Sequence, residues 1–547
     1  MRRARWCVSP VILVFMAVFL NPAHGSIPLA WAQVFDGGAG DDHPAGAAAD
    51  ASGGLVAIAN SGGGIRVFHY GPDNTLSWTA MLDNATVQLT NTLTSLNPLV
   101  APDGSVYVTG RFSLPAGGTD LLVAKFTPSG APAWVRTFDV GSVGGDEAPF
   151  SLLFGGGDLY VAGNIDTGSG RTIFALKLAG SGGTILWERI YPGVGPGGAY
   201  QIAEIVSSSS TALTGAGDLV AAVLFTKDPP DPVNGDSDDI RVIRYASGTG
   251  DNTAEWSFDS GGDEKPWAVG LDNAGNIYVA GRQRAAGTDY RFLLLKGSPG
   301  GGVDNVAIRA YAGGAVAKFL SFEGSDNVVL VGDSYNGTDT DVSVLKYRMS
   351  DLAELGGGGD FNSGGNDSVR AIATDSLGQL LAMANEGNDN VVLLKLGAGG
   401  GFSRELTYGG SGVSGVGLAV HNSLVYLVIL QNNGVDNDMA VVAAGTPPTQ
   451  VPAQGGGGGC FIATAAWGSP FAEDVEVLRR FRDRILLSSG FGTRIVGVYY
   501  RWSPPVADLV GGNGFLRAIA RFLLVPAVFF AFLCLQPVPV QVAMLLG

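Results

Sequence analysis

One acidic insertion holds the residue types best suited to chemistry. Asp228, Asp231, Asn234, Asp236, Asp238 and Asp239 fall close together, and a hard cation wants several oxygen ligands from a turning backbone. Calcium held by Asp231, Asp236 and Asp238 is one expectation. The spacing is not that of an EF-hand, so a solvated acidic loop is the other. A second reactive group is Cys460, a thiol that follows the run Gly455 to Gly459, where a flexible chain leaves it accessible to an enzyme. It reads either as a site of covalent processing or attachment, or as a small residue packed at the head of the next segment.

Constellations for catalysis are otherwise missing from the sequence. Once a leader is removed the histidines are His43, His69 and His421, in separate repeat units with no ligand-spaced partner. No G-x-S-x-G elbow, zinc spacing or paired Cys motif occurs. Gly193-Val194-Gly195-Pro196-Gly197-Gly198 satisfies G-x-G-x-x-G, but no helix pattern follows to offer its N-terminus to a pyrophosphate, so it reads as a connection. Asp42, Asp146, Asp263 and Asp367 recur along the chain. Recurrence points to a turn cap that satisfies backbone N–H groups rather than to a catalytic acid.

The elements that carry these residues repeat. A G-G-x-x-D-like opening, an apolar run, a strand ending in Gly, a V-x-K-like strand and a Trp strand return from starting points near residues 37, 84, 140, 193, 260, 314, 365 and 411. One unit per roughly 45 to 65 residues is the length of a four-stranded blade. The runs alternate apolar with small or polar residues and are fenced by Gly, Asp, Asn or Pro, which predicts strands joined by tight turns and no helix. The expectation is an all-β chain: an eight-bladed β-propeller, with seven blades as the alternative. Recurrent Trp residues are expected in its core.

Closure is legible at the two ends of this region. The last unit reaches Met439 to Ala443 and then Pro447-Pro448 without a Trp strand, whereas Ala30-Trp31-Ala32-Gln33-Val34-Phe35-Asp36 is a Trp strand with no unit before it. The N-terminal strand is therefore expected to enter the last blade and close the ring. An enzyme on this scaffold, such as a quinone-dependent dehydrogenase or a lyase, would need a cluster converging near the axis. Arg241, Arg244 and Lys265 are its candidates.

The order of Trp strand, G-G-x-x-D and Gly275-Asn276-Ile277-Tyr278-Val279-Ala280-Gly281 resembles the bacterial β-propeller repeats called SBBP repeats. The likeness covers about residues 30 to 445, is good at Trp134 to Gly163 and Trp256 to Gly281, and is poor near Ser207 to Lys227, where the spacing is stretched. It implies a propeller on an exported bacterial protein and fixes no substrate.

Residues 1–25 read as a signal peptide, with Arg2, Arg3 and Arg5 before an apolar run from Val11 to Leu20. Cleavage after Ala32 would destroy the closing strand, so cleavage after Gly25 is expected. The cysteines are Cys7, Cys460 and Cys534, none within residues 26–445. An oxidising compartment is permitted, but no disulfide framework is available there. The net charge is −16; with the leader's three Arg and the tail's eight Arg and five carboxylates set aside, residues 26–459 hold 22 basic and 44 acidic side chains. So acidic a body repels phosphate backbones, which argues against nucleic acid as a partner and suits solubility outside the cell.

Residues 446–459 form a Gly- and Pro-rich linker, and residues 460–547 differ in kind. Val475, Leu478, Phe481 and Ile485, interleaved with Arg479, Arg480, Arg482 and Arg484, predict an amphipathic helix with Glu473, Asp474 and Glu476 at its start. Cys460-Phe461-Ile462, Leu478 to Asp483 and Tyr499 to Pro505 resemble the CFI-box C-terminal sorting domain, with Trp467 where Tyr is expected. That resemblance implies sorting machinery as a partner and delivery to, or retention at, the cell envelope or surface. The apolar run Phe522 to Leu535, interrupted by Pro526, is short for a membrane span and reaches about the required twenty residues only when extended back to Phe515. Arg517 and Arg521 precede it and nothing basic follows, the reverse of a stop-transfer helix in an exported chain. A hairpin with Ile495 to Tyr500, or removal of the tail after sorting, would reconcile the two. The whole reads as a non-catalytic module that binds a protein or glycan ligand at one propeller face, with an enzyme or an envelope assembly scaffold as alternatives.

Overall fold

A computed structural model describes the chain from Ile27 to Gly445 apart from residues 28, 36–40, 62–63, 83–97, 114–117, 143–144, 168–169, 192–201, 227–237 and the single positions 286, 357, 398, 411, 423 and 435. The expected signal peptide at residues 1–25, the expected linker at 446–459, Cys460 and the rest of the tail to 547, Asp231, Asp236 and the Gly193 to Gly198 run lie outside the described residues.

Eight antiparallel sheets follow one another along the sequence and form the blades of a β-propeller. Blades 1 to 7 cover residues 43–82, 99–138, 146–190, 202–258, 262–309, 315–361 and 367–409, and blade 8 joins residues 414–445 to residues 29–35. The only described helical pieces are the single 3-10 turns Val140–Ser142 and Ser208–Ser210. The second turn explains the stretched spacing near Ser207. It interrupts the first strand of blade 4, so that Ile202–Glu204 and Thr211–Leu213 both pair with Leu219–Thr226.

Blade 8 closes the ring as the sequence requires. Leu29–Phe35 runs antiparallel to Asn437–Gly445 with Trp31 opposite Ala443 and Phe35 opposite Met439. Trp31, only 3% exposed, packs in one cluster with Tyr426 and Met439 of blade 8 and with Leu55, Phe68 and Tyr70 of blade 1. The strand thus completes one sheet and covers the next.

The middle strands are more buried than the expected alternation, because each sheet has a neighbour on both faces. Ile277, Tyr278, Val279 and Ala280 are each at most 1% exposed, and so are Leu293, Leu294 and Leu295. Fourth strands carry the alternation instead, as in Pro132–Phe138, where Trp134 is the one buried residue.

The repeated motif residues grip the following blade. Trp78 Nε1 donates to Pro128 O at 2.9 Å and Trp187 Nε1 to Ser247 O at 3.0 Å. Lys125 Nζ and Tyr107 Oη both donate to Gly180 O, and Lys296 Nζ and Tyr278 Oη both donate to Met349 O. Each acceptor lies in the turn before the fourth strand of the next blade. The Trp ring lies so close to that turn that a Cβ on Gly130, Gly183 or Gly250 would run into Trp78, Trp134 or Trp187. Those three glycines also hold φ of +84°, +70° and +73°, which disfavours any side chain. The clamp crosses the closure point in altered form: Trp31 Nε1 donates to Pro72 O at 3.3 Å in the turn before the fourth strand of blade 1, whereas Tyr426 Oη donates to Gly53 O at 2.5 Å in the turn between its first two strands.

Truncating Trp31 to Ala should lower unfolding stability by about 3 kcal/mol or more, the usual range for emptying a buried aromatic site. Tyr426→Phe should cost about 1 kcal/mol by removing one hydrogen bond. Urea unfolding followed by tryptophan fluorescence would measure both, and an unchanged midpoint for Trp31→Ala would mean that the ring does not need its closing strand.

Candidate functional site

Two clusters of charged side chains lie at the end of the propeller where each first strand begins. The first is on blade 5. Lys265 stands opposite Arg282, and Asp263 opposite Arg284, on the paired strands Gly262–Leu271 and Ile277–Ala285. Pleating brings Trp267 to the same face as Lys265, and Tyr290 enters from the turn before the third strand. The Arg282 guanidinium lies 3.7 Å from the Tyr290 ring centroid and 5.2 Å from that of Trp267, and Lys265 Nζ is 5.4 Å from Trp267. Arg284 packs 4.8 Å from Tyr290 and is ion-paired to Asp263. No carboxylate pairs with Lys265 or Arg282 among the described residues, and Arg282 Nε is buried without a hydrogen-bond partner. Rings hold these cations in place while their N–H donors stay unspent.

The second cluster is acidic and repeats. Asp42, Glu147, Glu264 and Asp367 each sit two residues before the bulge in the first strand of an odd-numbered blade, and all are at most 1% exposed. This corrects the sequence alignment, which grouped Asp146 and Asp263 with Asp42 and Asp367. The two sets are one residue apart. Asp146 is exposed and accepts from Thr119 N at 2.8 Å, and Asp263 pairs with Arg284. The buried set includes the expected turn caps: Asp367 accepts from Ser363 N at 2.8 Å and Ser363 Oγ at 2.7 Å, and Glu264 likewise from Ser260 N and Oγ.

Glu147, Glu264 and Asp367 face carboxylates of the preceding, even-numbered blade, and two positions there recur in register with the buried acids. One is the second residue of its third strand: Asp120, Asp239, Asp341 or Asp438. The other is the residue after the Phe that ends its outer strand: Asp139, Asp259 or Asn362, and by sequence Asp36, which is outside the described residues. Carboxylate oxygens of Asp239, Asp259 and Glu264 lie within 4.8 Å of one another. Blades 4, 6 and 8 carry Ala203, Ala315 and Val413 where odd-numbered blades carry the acid, and the matching position of blade 2 is outside the described residues.

Burial, with Asp120, Asp139 and Asp146 nearby, pushes the Glu147 carboxyl up to about 8. Burial also raises Glu264, to about 7; Ser260 hydrogen bonds oppose the rise, and Asp239 and Asp259 add to it. Asp367 is raised by burial in the same way, against hydrogen bonds from Ser363.

The other sequence candidates are placed separately. Asp238 opens the third strand of blade 4 and accepts from Thr226 Oγ1 at 2.8 Å. Arg244 is ion-paired with Asp218 at 2.7 Å, Arg241 with Glu255 at 3.3 Å, and Lys265 packs on Trp267, so these three do not converge. His43 and His69 share blade 1 rather than separate units: His43 begins the first strand near Asp41, and His69 Nε2 lies 2.6 Å from Asp50 Oδ2 on the third. His421 of blade 8 lies where a Cβ on Gly53, in the turn that Asp50 caps, would meet it. A cleft of 460 Å³ at the other end of blades 5 and 6 is lined by Tyr278, Lys296 and Met349, whose polar atoms the inter-blade clamp already uses.

No protein-family model and no curated protein matches the chain. Among solved structures it is similar to a catalytically inactive virginiamycin B lyase from Staphylococcus aureus with quinupristin, at 12% identity over 75% of this chain and 98% of that one, TM-score 0.34. It is also similar to puromycin hydrolase, at 14% identity over 79% of this chain and 58% of that one, TM-score 0.37, and to Drosophila Plexin A in complex with Semaphorin 1b, at 8% over 77% and 88%, TM-score 0.39. Likenesses this distant carry no reading of activity.

In EDTA-containing buffer, folded Glu147 and Glu264 keep protons that ordinary glutamates lose near pH 4.5. The folded state then binds more protons than the unfolded one, so stability should fall as pH rises from about 5 and level off above about 8. Thermal unfolding across that range tests this, and the slope should shrink in Glu147→Gln and Glu264→Gln.

Proposed function

We propose that this chain is an exported, envelope-attached propeller acting as a non-catalytic binding module, and that blade 5 supplies its ligand platform. The carrying observation is the pair Lys265 and Arg282, two cations without a carboxylate partner on a body that is otherwise strongly acidic. An unpaired cation held between aromatic rings favours a ligand that brings the missing negative charge. Part of each ring remains open for stacking, and a sugar ring bearing a carboxylate satisfies both demands. An acidic glycan is accordingly the preferred ligand class. Of the residues named for the enzyme alternative, Arg241 and Arg244 are engaged by Glu255 and Asp218, and Lys265 is left for the platform.

Export and attachment rest on the sequence: the leader at residues 1–25, and the tail with Cys460 and its resemblance to a CFI-box sorting domain. The membrane contact belongs to that tail, and the scaffold reading differs only in making another envelope protein the ligand.

A mono- or digalacturonate should bind the purified chain, and Arg282→Ala combined with Trp267→Ala should weaken binding at least about tenfold, as for loss of a central contact in an interface, with little change in melting temperature. Equal binding of neutral and acidic sugars, or binding indifferent to the double variant, removes the platform. Mass spectrometry of the protein isolated from envelopes should find an N-terminus at Ser26 and a modified or cleaved chain at Cys460. An intact leader, or an unmodified and uncleaved tail, defeats the attachment reading.

A further inference from the structure

We propose that the carboxylate triad Asp239, Asp259 and Glu264 holds one hard divalent cation of the calcium class across a blade seam, and that Asp120, Asp139 and Glu147, whose oxygens stand farther apart, form a looser counterpart at a second seam. These seams lie between blades 4 and 5 and between blades 2 and 3. They are distinct from the Asp231, Asp236 and Asp238 set expected from the sequence.

Geometry supplies the first reason. Three carboxylate oxygens lie within 4.8 Å of one another at the first seam, close enough to share one ion. Glu264 is fully buried, whereas Asp259 is exposed, so the site has protein on one side and an entry path on the other.

The second reason is independent of the acidic cluster. Glu147 is 0% exposed, and neither of its carboxylate oxygens has a hydrogen-bond partner. A buried carboxylate left this way is costly unless it is protonated or meets a cation. Its charged neighbours are acidic: Asp120, Asp139 and Asp146. At the seam between blades 6 and 7, Asp341 is 2% exposed and its Oδ1 also lacks a partner.

Register supplies the third reason. Asp120 and Asp239 occupy the same position of their third strands, each followed by the residue that pairs with the Phe ending the outer strand, Phe138 or Phe258. Glu147 and Glu264 both stand two residues before the bulge-side prolines Pro149 and Pro266. Asn362 replaces one carboxylate at the seam between blades 6 and 7, which lowers the ligand charge there and makes it the weaker member of the set.

Calorimetric titration of the chelator-treated full chain with calcium chloride tests the inference. One tight equivalent and one weaker equivalent are expected, together with a calcium-dependent rise in melting temperature. Glu147→Gln and Glu264→Gln should each remove one equivalent or weaken it at least about tenfold, because ligand charge sets calcium affinity. Asp259→Asn, at an exposed position, gives the same reading should a buried substitution fail to fold. Absence of calcium binding, or binding and melting shifts that persist unchanged in Glu147→Gln, Glu264→Gln and Asp259→Asn, overturns the proposal. A calcium response confined to substitutions at Asp231, Asp236 and Asp238 overturns it as well, and assigns the ion to the acidic insertion.

Discussion

Everything in this structure depends on each sheet being gripped by the next. A four-stranded sheet with apolar middle strands on both faces cannot stand in water alone, and the strands Ile277–Ala285 and Arg291–Gly297 are buried on both sides only because blades 4 and 6 flank them. The recurring Trp, Tyr and Lys look unrelated in sequence, yet they share one task. Trp78 and Trp187, with Tyr107, Lys125, Tyr278 and Lys296, reach across the seam to a backbone carbonyl in the turn before the following fourth strand, and the rings of Trp78, Trp134 and Trp187 leave room only for a glycine there. Such a one-way chain of contacts has no natural end. It becomes stable by returning to its start, which is why Trp31 and Tyr426 together engage blade 1.

A uniform ring of identical seams would need one kind of contact, but this ring alternates. At seams leading into odd-numbered blades, an acid enters at the start of the first strand and meets Phe followed by Asp or Asn. At the seams into blades 4, 6 and 8 Ala or Val takes the acid's place, and Tyr191 and Tyr408 occupy the end of the outer strand. Evenly spread acids would put a buried charge at all eight seams. Among the described residues, alternation leaves the seams into blades 4, 6 and 8 without such an acid, apolar enough to carry the packing.

Fold and closure were legible because turn residues, apolar runs and an orphan Trp strand are local signals. The two halves of blade 8 are 400 residues apart but identify each other by what each lacks. The acid triads were not legible, for a related reason. Their members come from a third strand, a chain segment after a fourth strand, and the following blade, so no local spacing joins Asp239 to Asp259 and Glu264. A one-residue slip also hid the pattern: reading Asp146 and Asp263 as equivalents of Asp42 and Asp367 mixes the outward and inward sides of the strand. The signal that distinguishes them is the bulge, two residues after the buried acid, which a Pro marks in blades 1, 3 and 5. Blade 5's cations were partly visible, since Lys265 stood out, but its partner is Arg282 across the hairpin rather than Arg241 or Arg244.

The acidic body shapes how the blade 5 platform works. Lys265 and Arg282 attract an anion only at short range, because the surrounding carboxylates oppose it farther out and physiological salt screens charge beyond roughly 8 Å. Long-range steering of a polyanion such as a nucleic acid is therefore unfavourable. Affinity must come from contact: the guanidinium donors, the Trp267 and Tyr290 rings, and the fit of one charged group between them. A ligand with a single well-placed carboxylate on a stackable ring gains all of these, whereas dense negative charge gains the same contacts and meets the repulsion of the whole propeller. On this surface, net charge acts as a filter, and the aromatic-held cations decide what passes it.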